Sequence, residues 1–418
     1  MLSWKRTLYV LFFAQLMTAL GFSSSFPFLS LYVKSLPTHT NLSKDLLIGL
    51  AFSSQAFTMM LVSPIWGMLA DRRGRKMMVM RATLGGAIII ALMGFARTAE
   101  ELVILRTLQG FVTGVTPAIT ALVAAAVPRE RSGYSMGLIQ VGMWSGVALG
   151  PFIGGVVADV VGYQATYFVT ASMLAATWLV VWWAVDEHFV PPSEEVRKKN
   201  GSLLHQWQMI ITIPGVAATY TLLSFNWMVR TMLTPYTPLF IAALLPTSKN
   251  VATVTGIIAG GAALSTTISS LYLGRKGDQI GHRKIVLASV VAAVAFSVPQ
   301  YIVADVWQLG ILQILVGAAV GGMMPSLNAM LNSYTPSGTE GAVYGLDTSI
   351  TSATRTIAPM LGSAAVVVFG LRGVFLMAGF VFILGFVIAL HHMPQTEQEK
   401  RIQQQKVQPV KAHATAGD

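Results

Sequence analysis

Apolar residues along this chain run in long unbroken blocks, and polar residues gather in short clusters between them. Within a block, polar and apolar positions do not alternate, so a transmembrane β-barrel is not predicted. Each block is at least about the 20 residues that a helix needs to cross a bilayer. The pattern predicts twelve spans, at 7–33, 45–70, 76–97, 101–126, 133–160, 163–185, 211–243, 252–274, 284–304, 307–332, 341–369 and 372–392. Most of the polar clusters are brief turns. One is longer: 186–210 carries Pro191-Pro192, Glu194-Glu195, Arg197-Lys198-Lys199 and Gly201, and reads as a linker between halves. The stretch 393–418, with Gln403-Gln404-Gln405, reads as a polar, disordered tail. The predicted organisation is an all-α integral membrane protein, with one six-helix bundle over 1–185 and a second over 211–392.

Composition narrows the class. The chain has 418 residues, 54% hydrophobic and 11% charged, against about 25% charged in soluble domains. A soluble fold has no interior large enough for so much apolar surface. Lys5-Arg6 lead directly into the first block with no small-residue cleavage site, so a first span is expected there rather than a signal peptide. Cysteine is absent, which removes thiol and disulfide chemistry.

The net charge of +11 does not point to nucleic acid, because the positive residues sit beside the spans. One set of connections holds nineteen: Lys5, Arg6, Arg72, Arg73, Arg75, Lys76, Arg129, Arg131, Arg197, Lys198, Lys199, Arg275, Lys276, Arg283, Lys284, Lys400, Arg401, Lys406 and Lys411. The alternate set holds five: Lys34, Lys44, Arg97, Lys249 and Arg372. Such a bias orients a membrane protein with its richer side toward the cytoplasm. Both termini are expected there, in a cell (inner) membrane.

The chain repeats itself. The turn Gly67-Met68-Leu69-Ala70-Asp71-Arg72-Arg73-Gly74-Arg75-Lys76 recurs as Gly274-Arg275-Lys276-Gly277-Asp278-Gln279-Ile280-Gly281-His282-Arg283-Lys284. Pro27 matches Pro235, Gly49 matches Gly256, Gly110 and Gly114 match Gly317 and Gly321, and Pro151 and Gly154 match Pro359 and Gly362. Six spans per copy is an even number, so the copies enter the membrane from the same side, as parallel repeats do. Asp71 ends a helix, where its own dipole disfavours an acid. It makes sense as a latch onto the positive start of span 11, near 338–342, with Asp278 meeting the start of span 5 at Ser132-Gly133. The basic residues of the turns, Arg72, Arg75 and Lys76 among them, suit lipid headgroups.

Two further stretches complete a recognisable set. Leu105-Arg106 precede Gln109-Gly110 and Gly114 in span 4, and Gly146, Gly150-Pro151 and Gly154-Gly155 mark span 5. With the 67–76 turn, these resemble the signature motifs of the major facilitator superfamily, in its bacterial twelve-span drug/proton antiporter branch. The resemblance covers nearly the whole chain. It implies two six-helix bundles about a central cavity. It also implies alternating access, a conformational latch at Gly67, Asp71, Arg72, Gly74, Arg75, Lys76, Gly274, Asp278 and Gly281, and a part for Arg106 in proton coupling. It implies too that the span 5 seam of Gly146, Gly150, Pro151 and Gly154 gates export.

The residues support much of this independently. Gly142, Gly146, Gly150 and Gly154 form one stripe that lets a facing backbone approach closely; the expected partner is span 8. Arg106 lies within span 4, where a charge marks a functional site by default. Asp347 is the acid placed most clearly within a span, and a carboxyl there changes charge as protons move. Gln15, Phe22, Gln55, Gln140, Trp144, Asn226, Trp227 and Arg230 fall near mid-membrane, with Arg355 eight residues past Asp347. Polar groups among aromatics at that depth suit an amphipathic substrate, though any one of them also reads as an interhelical packing contact.

No P-loop, HExxH or GxSxG pattern occurs, so no enzyme, cofactor or metal is expected. The expected partners are a small molecule, protons and membrane lipid, without nucleic acid, around a monomer. A sugar or metabolite exporter or facilitator is the alternative within transport, and a transporter-like receptor or a lipid flippase the alternative outside it.

Overall fold

The computed structural model describes residues 3–112, 114–128, 131–187, 208, 210–213, 215–246, 250–334 and 340–393. Most of the expected linker and all but the first residue of the expected tail lie outside these. Among the described residues the structure is helical, without a strand. Ten segments of the described residues are long and apolar enough to cross a membrane. The last, Leu346–His392, has 47 residues, about 70 Å of helix against a hydrocarbon core of about 30 Å. It breaks at Gly370, whose φ of 72° reverses the chain, so it makes two crossings. Val216–Leu233 and Thr237–Leu244 lie where the seventh span is expected.

Spans 2, 3, 5, 6 and 8 are single helices, Lys44–Arg73, Arg75–Gly94, Ser132–Val161, Tyr163–Ala184 and Val251–Ile280. Others break where the sequence removes a hydrogen bond or frees the backbone. Span 1 (Ser3–Ser25, then Leu29–Ser35) breaks in a 3-10 turn holding Pro27, which has no N–H to continue the ladder. Span 4 (Ala99–Val112, then Val115–Ala126) breaks at Gly114, with φ 124°. Spans 9 and 10 are His282–Ser297 with a 3-10 turn to Tyr301, and Val306–Gly321 with Met323–Tyr334. The two signature turns are tight because Gly74 (φ 95°) and Gly281 (φ 103°) take the left-handed backbone that side chains disfavour.

Packing follows the repeat. Within the first half, span 1 packs on span 5, span 2 on span 4 and span 3 on span 6. Within the second, span 7 packs on span 11, span 8 on span 10 and span 9 on span 12. The halves meet through span 5 against span 8 and span 2 against span 11. Each contact thus has a counterpart, as a pseudo-two-fold arrangement requires.

The turns sort onto two sides. On one, here the terminal side, Arg6 lies over the Trp183 ring, Lys76 donates to the Trp182 carbonyl and Arg283 donates to the Leu390 carbonyl. On the far side, the His39 and Thr40 amides donate to Glu100, and Arg372 donates to the Tyr301 carbonyl.

Candidate functional site

The site is the boundary between the halves, and it is closed at one end only. On the far side the facing helices touch backbone to backbone. A Cβ on Gly155 would fall on the Ala252 carbonyl, one on Gly256 would fall on Pro151, and Gly49 faces Pro359, Met360 and Ser363. Ser363 and Tyr236 donate to the Asp45 carbonyl at 3.0 and 3.4 Å. Toward the terminal side the same stripes come apart. On span 8, Gly256 and Gly260 are packed against span 5, yet Leu264, Ile268 and Leu271, further along that stripe, are exposed, Ile268 to 68%. On span 5 the stripe passes from Ala148, which meets Gly260, to Trp144 and Gln140, both exposed. A gap therefore opens between the halves from mid-membrane to the terminal side.

Several sequence-predicted residues face this gap. Arg355 is exposed one turn below Pro359, with its guanidinium 4.6 Å from the centre of the Trp227 ring, a cation–π pairing of about 0.5–2 kcal/mol. Arg230 lies half-buried on span 7 close enough for the two guanidiniums to repel. Its repeat mate in span 1 is Phe22, also half-buried. Among the described residues no carboxylate pairs with Arg230 or Arg355. On span 5, in the other half, Gln140 and Trp144 are exposed along the stripe that leads to Ala148.

Others are turned inward. Gln15 is wholly buried and donates to Thr116 Oγ1 at 3.2 Å, tying span 1 to span 4. Asn226 is also buried within its bundle. Arg106 is 5% exposed. Its Nε donates to the Ala51 carbonyl (3.1 Å), Nη1 to Gln109 Oε1 (2.7 Å) and Nη2 to Gln55 Oε1 (3.2 Å). Phe26 and Phe52 lie over the guanidinium. Its three acceptors are neutral, and it braces span 4 to span 2. Its repeat mate Gln313 braces span 10 to span 9 through Gln300 at 2.8 Å. Asp347 lies half-buried near Tyr220, two turns into span 11 on the terminal side. No hydrogen bond or ion pair holds its carboxylate among the described residues.

The glycine stripe corrects one expectation. Gly142, Gly146, Gly150 and Gly154 face span 1, not span 8: added Cβ atoms would meet Phe12, Ala19 and Leu20, Ser23, and the Ser24 carbonyl. Ser23 Oγ donates to the Gly146 carbonyl at 2.9 Å. Span 8 is met by the adjacent stripe of Ala148, Pro151 and Gly155. A repeat of four residues names a stripe but not the helix it faces.

The latch is described in part. The surroundings of Gly67 and of the expected partners at 132–133 and 338–342, and the side chains of Asp71 and Arg72, lie outside the described set. Asp278 is 67% exposed and pairs with His282 Nε2, four residues on, at 3.2 Å. Gly274 lies beside Pro325. Glu187, just past span 6, accepts from the Arg75 and Lys76 amides at 2.9 and 2.8 Å, so it caps span 3. Glu187 was not legible in the sequence, because it lies 112 and 111 positions from the two residues whose amides it accepts from. Among the described residues no group of three His, Cys, Asp or Glu residues is arranged to hold a metal.

Two helical bundles with a one-sided gap between them define a membrane transporter of the two-repeat class. The family model described as "Major Facilitator Superfamily" matches residues 11–249 and 241–415. The chain belongs to this superfamily. It is 33% identical over 389 residues to the multidrug resistance protein MdtG of Enterobacter lignolyticus, covering 92% of each chain. It is 33% identical over 377 residues to that of Proteus mirabilis, covering 89% of this chain and 92% of the relative. Among solved structures, a bacterial homologue of the human lysosomal transporter Spinster superposes with a TM-score of 0.76 at 12% identity, over 93% of this chain and 96% of that one. The nucleoside transporter NupG superposes with a TM-score of 0.75 at 14% identity, over 93% and 100%. At such identities these two likenesses speak for the fold alone.

Proposed function

We propose that this protein exports small amphipathic compounds, drugs among them, across the cytoplasmic membrane in exchange for protons, by alternating access. The observation that carries the reading is the boundary between the halves, packed on the far side and open on the terminal side. The match to proteins named for multidrug resistance, along nearly the full length of both chains, supports drugs as cargo. The excess of Lys and Arg in the terminal-side turns supports a cytoplasmic terminal side, so the gap receives substrate from inside the cell. The halves then rock about mid-membrane, the glycine turns at 67–76 and 274–284 latch the cytoplasmic side, and the far side opens.

The walls also speak to the substrate. Arg230 and Arg355 present positive charge without a facing carboxylate, while Trp144, Trp227 and Phe22 present aromatic surface. Neutral or anionic amphiphiles suit this lining better than lipophilic cations, which a guanidinium repels. Arg106, sealed beneath Phe26 and Phe52, acts on coupling through the span 2–span 4 seam rather than by touching cargo. Asp347, on the side open to the cytoplasm, is the group that exchanges the proton.

The test is reconstitution in liposomes with a pH-sensitive dye inside. Substrate-dependent proton movement is expected, together with lowered susceptibility of a pump-deficient bacterium to part of a panel of antibiotics, dyes and anionic detergents. Substrate flux without proton movement would mean a facilitator; binding without flux would mean a receptor.

A further inference from the structure

Among the described residues, the far-side seam holds one charged contact that crosses the halves. Asp159, in the last turn of span 5, accepts from the backbone amides of Ala252 at 3.1 Å and Thr253 at 2.6 Å, the second and third residues of span 8. The first four amides of a helix have no partner within it, and a residue just before the helix ordinarily supplies one. Span 2, the repeat mate of span 8, follows that rule: Ser43 accepts from the Leu46 amide at 3.3 Å. Span 8 does not. Its preceding residue, Asn250, sits in the left-handed region at φ 65° and makes no side-chain cap. The first turn of span 8 is thus capped from the opposite half, by a carboxylate that also meets the positive end of the helix dipole. Among the described residues, no carboxylate of span 11 caps the first turn of span 2 in the matching seam. Val367 is the repeat mate of Asp159, and spans 2 and 11 close through neutral hydroxyl-to-carbonyl bonds from Ser363 and Tyr236.

We propose that Asp159 is the positioning residue that locks the far gate. The inference rests on the alternating-access reading above. When the halves rock, Gly155 must leave Ala252, and the amides of Ala252 and Thr253 lose their acceptor in the same movement. A charge-assisted bond to two backbone amides holds more strongly than neutral bonds. The span 5–span 8 seam is therefore the last to part, and the span 2–span 11 seam opens ahead of it. A neutral amide in place of the carboxylate loses the dipole interaction and one acceptor, and the gate opens more often.

The test uses the full chain, which has no native cysteine. Spin labels are placed at Phe95→Cys and Ile302→Cys, exposed repeat mates at the far ends of spans 3 and 9, and their distance distribution is recorded in nanodiscs by electron–electron double resonance. Asp159→Asn is expected to raise the ratio of long to short distances about ten-fold, the usual scale of a lost helix cap, and Asp159→Glu to restore most of the short population. Thr253→Pro is a second route. It removes one of the two donors, and it is expected to shift the ratio the same way. A wild-type pair whose distance responds to transport conditions, with unchanged ratios in both Asp159→Asn and Thr253→Pro, would overturn the lock alone. A distance that no condition or variant alters would overturn the lock and alternating access together.

Discussion

Arg106 shows how little the identity of a residue says about its task. A guanidinium inside a span suggests a site that meets substrate, yet here it spends three nitrogens on three neutral acceptors in two helices. Leaving such acceptors buried and unpaired costs about 1–3 kcal/mol each. Arg106→Ala is therefore expected to lower the melting temperature by several degrees and to lose uphill export. Arg106→Lys keeps the charge but not the fork, so it is expected to recover only part of both, as read by thermal shift and by proton movement in liposomes. Full recovery with lysine would assign the role to charge alone. Asp347 is the opposite case, half-buried with no pairing group among the described residues. Asp347→Asn is expected to keep substrate binding, lose its pH dependence and lose uphill export. The sign follows from linkage: a site that binds substrate and proton exclusively binds substrate more weakly as pH falls, and an amide cannot take the proton. Equilibrium binding measured at several pH values checks this, and a wild-type slope in the variant would move the proton site elsewhere.

Among the elements, span 5 carries two adjacent interfaces on one helix. The glycines at 142, 146, 150 and 154 seat span 1 within the half, while Ala148, Pro151 and Gly155 seat span 8 across the boundary. A helix in lipid gains no hydrophobic free energy from burying apolar side chains against others, so the tight packing that close backbone approach allows holds it in place. Gly150→Leu is expected to reduce folded yield and abolish export, because Ser23 and the Leu20 carbonyl occupy the space. Gly137→Leu, on the same helix with nothing within 4 Å of its would-be Cβ, is expected to keep its folded yield. Size-exclusion profiles of the two variants decide the point; an equal loss would show that leucine harms this helix wherever it is placed.

For the whole molecule, the two sides differ in how they hold. Among the described residues, the far side is joined by interlocked glycines, two hydroxyl bonds and one carboxylate cap. On the terminal side Asp278 is turned onto its own His282, which is where an acid of a released latch would rest. In the proposed mechanism, the signature turns engage the other half when that side closes. Asp71→Asn is expected to leave expression intact and cut transport severely. Asp278→Asn should do less, because Gln279 stands where the first copy has an arginine. Transport rates normalised to the amount of protein in the membrane test both, and normal transport by Asp71→Asn would remove the latch from the mechanism.

The spans, the repeat and the membrane class were legible along the sequence because they depend on local quantities. A bilayer has one thickness, a helix one rise per residue, and the breaks fall where Pro27, Gly114 and Gly370 interrupt the ladder. What each helix shows to which neighbour was not legible. Lipid and bundle interior are both apolar, so a membrane helix lacks the polar face that orients a helix in water. For that reason Gln15, Asn226, Gln140 and Trp144 look alike in sequence, yet the first two are buried inside their bundles and the last two face the gap. The partner of the glycine stripe, the neutral cage around Arg106 and the reach of Asp159 to another helix's first turn are long-range facts. They were decided only when the halves packed, because each depends on residues tens to hundreds of positions apart being brought within hydrogen-bond distance.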